Sequence, residues 1–450
     1  MGGMRRFEST NRNDLPPVSE TPAQNHPHPT FREALRVWGK IGLLSFGGPT
    51  GQIALMHAEL VERRRWVTES RFLHALNYCM LLPGPEAQQL SVYIGWLLHG
   101  RWGGIVAGTL FVLPGAVLLW ALSWIAVAHG QVPWIGDVFH GLKAAVLGLV
   151  LHAVLRLGAK ALRSSALWAL AGAAFIGIYF LHCPFPLIIA LAGVIGLAGG
   201  RWRPEFFPTG KGHGTAVIND DIALSPHPSL AGTMQTAAFW LAVWAAPVAV
   251  TWLLLGRGHV LTQESLFFSK AAVVTFGGAY AVLPYVAQQA VEMHGWLTAP
   301  QMLDGLGLAE TTPGPLILVL QYVGFLGGWH APAPFSPLLA ATLGAIITSW
   351  CTFAPSFLFI FTGAPYIEAL RGAKILNCAL SAITAAVVGV VLNLAVWFAI
   401  GVLWPRGGGV DWFTVVVALG AFAGLQWGRW HVVRVVLGCA LLGLITGYLL

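Results

Sequence analysis

The sequence predicts an all-α polytopic membrane protein: two homologous halves of about six membrane segments each, an inverted repeat joined by a connector helix. Composition is the first observation. The chain has 450 residues, of which 56% are hydrophobic and 10% charged, whereas soluble domains carry about 25% charged residues. So few charges cannot cover the surface of a soluble protein this long. Segmentation is the second observation: apolar runs of about 20 residues recur, the length a bilayer-spanning helix needs. Strand-period alternation is not evident, which disfavours a β-barrel. An internal repeat, set out below, is the third. Trp is abundant at 20 residues, as interfacial belts require. The net charge of +7 fits cytoplasmic loops and a basic tail. No basic reading helix or stacking platform for nucleic acid accompanies it.

Residues 1–30 are polar and rich in Pro, Asn and His. No apolar h-region follows Arg5-Arg6, so a disordered cytoplasmic tail is expected rather than a cleavable signal peptide. His26-Pro27-His28 is too weak a pattern to predict a metal, and no cofactor is expected. Residues 31–40 read as an amphipathic helix leading into the membrane. Membrane segments are predicted at 41–58, 72–98, 102–128, 138–156, 165–181 and 184–200. The first repeat thus occupies 31–200. A polar linker and a single connector helix, 235–256, occupy 201–260. Segments at 266–289, 302–328, 336–362, 375–402, 411–427 and 431–450 make the second repeat, 261–450. Cys79, Cys183, Cys351, Cys378 and Cys439 lie in or beside apolar segments. They have no metal-type spacing and read as small packing residues.

The repeat is explicit. Lys40-Ile41-Gly42-Leu43-Leu44-Ser45-Phe46-Gly47-Gly48 aligns with Lys270-Ala271-Ala272-Val273-Val274-Thr275-Phe276-Gly277-Gly278, an offset of 270 − 40 = 230. Val61-Glu62, Trp66, Thr68 and Pro83-Gly84-Pro85 meet Val291-Glu292, Trp296, Thr298 and Pro313-Gly314-Pro315 at the same offset. Chance matching of apolar sequence does not keep Trp, Glu and Pro-Gly-Pro in register. Six segments plus one connector would invert the second half, as in many secondary transporters. Loop charges support that parity. With the N-terminus in the cytoplasm, Arg156, Lys160, Arg163, Arg201, Arg203, Lys211, Arg371, Lys374, Arg429 and Arg434 fall inside, and Arg257 and Arg406 outside. Arg63-Arg64-Arg65 with Arg71 is the exception. Either segment 41–58 is re-entrant and returns the cluster to the cytoplasmic side, or the cluster lies outside, offset by Glu59, Glu62 and Glu69.

Pro-Gly-Pro breaks a helix, because Pro lacks the N–H and clashes with the preceding turn, while Gly permits the unusual backbone between. The half-helices that follow begin near Glu86 and Leu316. A helix N-terminus carries about +0.5 charge and points N–H groups at a ligand. Two such ends, from Pro83-Gly84-Pro85 and Pro313-Gly314-Pro315, would make a midplane anion site. Gly47-Gly48-Pro49 and Gly277-Gly278 supply a second pair of breaks. The plain alternative is that all four are kinks and close-packing glycines. Gln88 and Gln89 could donate to oxyanion oxygens, and Arg63, Arg64 and Arg65 could grip them by forked hydrogen bonds; the arginines also read as an ordinary topology-setting run. Glu59, Glu62, His74, Glu86 and Glu310 are the candidates for carrying protons. For Glu86 the alternative is a dipole partner in the first helical turn. Leu316, Ile317 and Leu318 stand where the first half has Glu86, Ala87 and Gln88, so the halves are not equivalent.

No Walker motif, GxSxG elbow or HExxH appears. A membrane enzyme acting on lipid-linked phosphates is the competing class. It would need a second carboxylate facing Glu86, and none is spaced for that.

Phe46-Gly47-Gly48-Pro49, Gln52-Ile53-Ala54, Val61-Glu62-Arg63-Arg64-Arg65-Trp66-Val67 and the run from Arg71 to Gln89 through Leu82-Pro83-Gly84-Pro85-Glu86 resemble the chromate ion transporter family in its long-chain, two-domain form. Tyr93-Ile94-Gly95-Trp96 and Phe111-Val112-Leu113-Pro114-Gly115 continue the resemblance, and Thr275-Phe276-Gly277-Gly278 and Thr312-Pro313-Gly314-Pro315 look like its second half. The second half departs from the first in having Ala279 opposite Pro49. The resemblance implies export of chromate across the bacterial inner membrane, driven by the proton motive force and conferring resistance, with sulfate as the related oxyanion. It implies no enzyme activity. A homodimer is compatible with it.

Overall fold

The structure is a computed structural model that describes residues 28–46, 48–130, 132–207, 230–276, 278–363, 374–404 and 409–449. The predicted tail, most of the 201–230 linker, and Gly47, Gly277, Lys211, Arg371 and Arg406 lie outside the described residues, as does the side chain of Lys374.

The first half comprises α1 (Phe31–Leu44), α2 (Gly48–His57) with a π turn (Ala58–Arg63), α3 (Glu69–Cys79), α4 (Glu86–His129), α5 (Pro133–Ala161), α6 (Ser165–Tyr179) and α7 (Phe185–Trp202). The connector is α8 (Leu230–Leu255). The second half comprises α9 (Val260–Val274), α10 (Ala279–Ala287) with a π turn (Gln288–Met293), α11 (Ala299–Thr311), α12 (Val319–His330), α13 (Pro337–Gly363), α14 (Lys374–Leu403), α15 (Trp412–Gln426) and α16 (Val432–Leu449).

Matched residues in the two halves do matched jobs. Thr68 and Thr298 cap α3 and α11, accepting from the N–H groups of Arg71 and Gln301, which satisfies donors the helix cannot. Ser45 and Thr275 end α1 and α9 by donating their hydroxyls back to Ile41 and Ala271, 2.6 Å each. Trp66 and Trp296 close the π turns by donating their N–H groups to Leu60 and Ala290, 2.8 Å each. Gly48, Gly84, Gly278 and Gly314 all have positive φ, +73°, +116°, +94° and +97°, a backbone that side chains with a Cβ resist.

Segment 41–58 is not a span. The Lys40 ammonium lies 2.6 Å from Glu59. Along one continuous helix, nineteen residues would separate these groups by about 28 Å. The chain therefore reverses at Ser45–Gly48, and α1 with α2 forms a re-entrant hairpin. Segment 72–98 is a second hairpin: α3 goes in, the chain breaks at residues 80–85, and residues 86–98 of α4 come back. His99 confirms the return, since its Nε2–H donates to the Pro29 carbonyl at 2.9 Å and its ring packs on Phe31. At Gly100, φ +62°, α4 kinks and then crosses as residues 101–129. The second half repeats this, with His259 bonded to the Ala333 carbonyl at 2.8 Å. Segments 266–289 and 302–328 are accordingly hairpins too. Each half keeps six membrane elements, two of them hairpins and four spans. Hydropathy separates these cases only by degree: the hairpin arms are apolar enough to read as membrane segments, but less so than the spans.

Residues 101–129, α5, α7 and α8 are long and apolar enough to cross, and counting the shorter apolar helix α6 with them gives five crossings before α9. An odd number inverts the second half. The hairpins also return Arg63, Arg64, Arg65 and Arg71 to the face that carries Arg156, Lys160, Arg163, Arg201, Arg203, Arg429 and Arg434. The exception to the charge rule disappears, and the re-entrant alternative is the observed one. Helices α6 and α7 pack on α14 of the other half, and α15 and α16 on α5. A Cβ at Gly141, Gly196 or Gly389 would overlap a carbonyl of the facing helix. Such close approach maximises van der Waals contact where lipid offers no hydrophobic drive.

Candidate functional site

The four breaks meet in crossed pairs. The Gly84 N–H donates to the Thr275 carbonyl and the Gly314 N–H to the Ser45 carbonyl, 2.8 Å each. The Pro-Gly-Pro tip of each half is thus tied to the Phe-Gly-Gly tip of the other. These two N–H groups are used to join the hairpins. The free donors lie one step further on. Pro85 gives α4 no side-chain cap, so the Glu86, Ala87 and Gln88 N–H groups of its first turn have no intrahelical acceptor and none from a capping side chain among the described residues. Gly48 and Gly278 face open space, with nothing within 4 Å of where a Cβ would stand.

Spans with a proline inside the helix, Pro114 in α4 and Pro355 in α13, support the tips from behind. Gly115, beside Pro114, lies so close to Pro313 that a Cβ would overlap its carbonyl. Across the pseudo-two-fold, Ser356, beside Pro355, lies 3.7 Å from the Cβ position of Gly84. The Leu113-Pro114-Gly115 landmark therefore serves the opposite half's break.

The glutamines divide the work. Gln52 donates to the Gly314 carbonyl at 2.7 Å and Gln89 to the Pro83 carbonyl at 2.7 Å. Both amides staple the tips, and each leaves its oxygen without a partner. Gln88 is fully buried, and neither its amide nitrogen nor its oxygen has a partner among the described residues. The buried Ser356 hydroxyl is likewise unpaired. Native proteins rarely leave such groups unsatisfied. Together with the open first turn of α4, they form a buried cradle with donors and acceptors unspent. Nothing in the sequence distinguished Gln88 from Gln89; only their bonding does.

The arginines are not at this cradle. They sit at the far end of the α2 arm, about 23 Å from its tip by helix rise. Arg63 and Arg64 reach Glu59 at 2.5 and 3.7 Å, and Arg64 also stacks 5.2 Å over Trp66. Lys40 and Arg63 hold the buried Glu59 carboxyl below its ordinary range against the opposing effect of burial. Arg65 has φ +53°, where the second half has Gly295 at +62°. Glu62 and Glu69 both pair with His57, at 3.2 and 2.5 Å, and His74 is half-buried on α3. Glu86 opens α4 beside the cradle. Glu310 lies at the other tip, accepting the Tyr280 hydroxyl at 2.5 Å. Thr50 and Met80 occupy the corresponding first-half positions, so this pair belongs to one half only. Of the predicted site residues, the structure gathers Gly48, Pro49, Pro83, Gly84, Pro85, Glu86, Gln88, Gln89, Gly278, Glu310, Pro313, Gly314 and Pro315 around the tips. It leaves Glu59, Glu62 and Arg63–Arg65 at the hairpin mouth.

The sequence matches the family described as "Chromate transporter" over residues 32–197 and 262–444, once in each half. It is 34% identical to a "Chromate transport protein" of Pseudomonas aeruginosa over 364 residues, covering 78% of this chain and 77% of that one. It is 27% identical to a "Chromate transport protein" of Cupriavidus metallidurans over 437 residues, 96% of this chain and 97% of that one. A "Probable chromate transport protein" of Synechococcus elongatus is 29% identical over 348 residues, 76% of this chain and 78% of its own. No solved structure matches. With family matches in both halves, and a membrane fold that opposes two broken-hairpin pairs, this chain belongs to the chromate transporter family.

Proposed function

We propose that this protein is a secondary transporter that exports chromate from the cytoplasm across the inner membrane, coupled to proton entry, and that it confers chromate resistance. The observation that carries this reading is the buried, unpartnered Gln88 amide beside the uncapped first turn of α4. A dianion at mid-membrane needs compensating positive potential, and helix N-termini with amide donors supply it without a mobile cation. Sulfate, with the same tetrahedral shape, competes there. The functional units are the repeats 31–200 and 261–450, joined by the linker and connector 201–260 and preceded by the tail 1–30. The face bearing Arg63–Arg65 is cytoplasmic by the positive-inside rule, so those arginines collect the anion at the hairpin mouth. Glu59 and Glu62 at the hairpin mouth, His74 on α3, and Glu86 and Glu310 at the tips are the candidates for carrying protons. Assembly as a homodimer is compatible with this scheme.

Everted membrane vesicles test it. Chromate uptake that depends on an imposed proton gradient, is inhibited by sulfate and yields no altered product supports export. Product formation without net flux would favour the lipid-phosphate enzyme.

A further inference from the structure

Away from the tips, Glu264 on α9 is fully buried, and neither carboxyl oxygen has a hydrogen-bond partner among the described residues. It lies in the seam where α9 packs on α12 and α13. A Cβ at Gly327 would overlap its Oε1, and one at Gly344 would come within 3.0 Å of its Oε2. The buried Thr262 and Thr348 hydroxyls are also unpaired. No cation faces it. Ionisable groups on the packed elements are Cys351 on α13, Tyr322 and His330 on α12, and Tyr280 and Tyr285 on α10. The sequence of α8 contains none. Lys, Arg, Asp and Glu are absent from α8, α10, α12 and α13. A buried carboxylate with no partner is strongly disfavoured, whereas a neutral carboxyl suits this packed seam. The first half has Ala34 at the aligned position, so the feature is single.

Two further facts give it a direction and an output. Glu264 is five residues past His259, about 8 Å along the helix from the face opposite the arginines. Beyond it α9 runs on to Val274, and the next residue, Thr275, accepts the Gly84 N–H. One rigid arm of about 15 Å therefore joins this carboxyl to the anion cradle.

We propose that Glu264 is the proton-loading site of the transporter: it takes its proton from the opposite face while the seam is parted, and the seam closes over the neutral carboxyl. It adds a residue to the proton-coupled reading above and rests on it. Proton release leaves a charge the closed seam does not tolerate, so α9 parts from α12 and α13. Thr275 then moves and the Gly84 tip is released.

The test uses the full-length protein in proteoliposomes. Two fluxes are measured: chromate flux driven by a pH gradient, and chromate counterflow at equal pH. Glu264→Gln should lose driven flux by about tenfold or more while counterflow persists, the split expected of uncoupling rather than of a damaged anion site. Glu264→Asp should restore driven flux with a displaced pH profile. Driven flux in Glu264→Gln equal to wild type would overturn the proposal. If that variant does not insert, Glu264→Asp decides: an unchanged pH profile overturns the proposal, and a displaced one supports it. Wild-type chromate flux that ignores the pH gradient would instead overturn the proton-coupled reading itself.

Discussion

Replacing Gly84 by alanine tests the crossed-tip architecture most directly. Gly84 has φ +116°. Holding an L-residue in such a region costs about 1–3 kcal/mol. The added methyl would also stand 2.9 Å from the Gln89 amide nitrogen, closer than real Cβ atoms approach. Gln89 must give way, and its 2.7 Å bond to the Pro83 carbonyl then weakens, a loss of about 1 kcal/mol. The combined cost of about 2–4 kcal/mol corresponds to a roughly 30- to 800-fold smaller population of the native tip. The Gly84 to Thr275 bond goes with it, so chromate flux should fall at least about tenfold while the spans stay folded. Gly136→Ala is the control. Gly136 lies in the first turns of α5, and nothing lies within 4 Å of its Cβ position. The change should stabilise by about 1 kcal/mol and preserve flux. The assay is chromate uptake by everted vesicles, normalised to folded protein by size-exclusion profile. Wild-type flux from Gly84→Ala would refute the reasoning and leave Pro-Gly-Pro as a packing kink.

Gln88→Leu removes a buried amide that has no partner among the described residues; thermal stability should hold or rise by about 1 kcal/mol while the apparent KM for chromate rises, and an unchanged KM would remove Gln88 from the site. Arg65→Gly should stabilise by about 1 kcal/mol by relieving positive φ, as Gly295 does in the other half, and if Arg65 gathers substrate the flux at low chromate falls as the Tm rises. Asp411, the cap of α15, is pushed up by burial but more strongly held down by the Thr414 N–H, His140 and the Thr414 hydroxyl, so its carboxyl titrates below the ordinary range. The stability it contributes is complete above the unfolded value of about 3.9 and vanishes as pH falls through the lower folded value; Asp411→Asn should be less stable than wild type near neutrality and converge with it in acid melts. A cytoplasm-specific reporter should work at the N-terminus and fail after Leu450, because the crossings are odd in number.

The sequence by itself determined the membrane class, the duplication and the positions of the breaks. Those properties are local: apolar composition sets solvent, a constant offset of 230 records duplication, and Pro and Gly dictate where a helix cannot continue. Even the inversion was legible, since replacing two spans by two hairpins in each half leaves parity unchanged. What the tertiary structure decided was direction and partnership. Hairpin arms and spans are both apolar and differ only by degree, whereas the Lys40–Glu59 pair and the return of His99 to Pro29 show that the chain turns back. The crossed bonds from Gly84 to Thr275 and from Gly314 to Ser45 join residues about 190 and 270 positions apart, a distance no local motif reports. Gln88 and Glu264 stand out for the same reason. An unsatisfied polar group is defined by what its neighbours fail to offer, and those neighbours are chosen by packing alone.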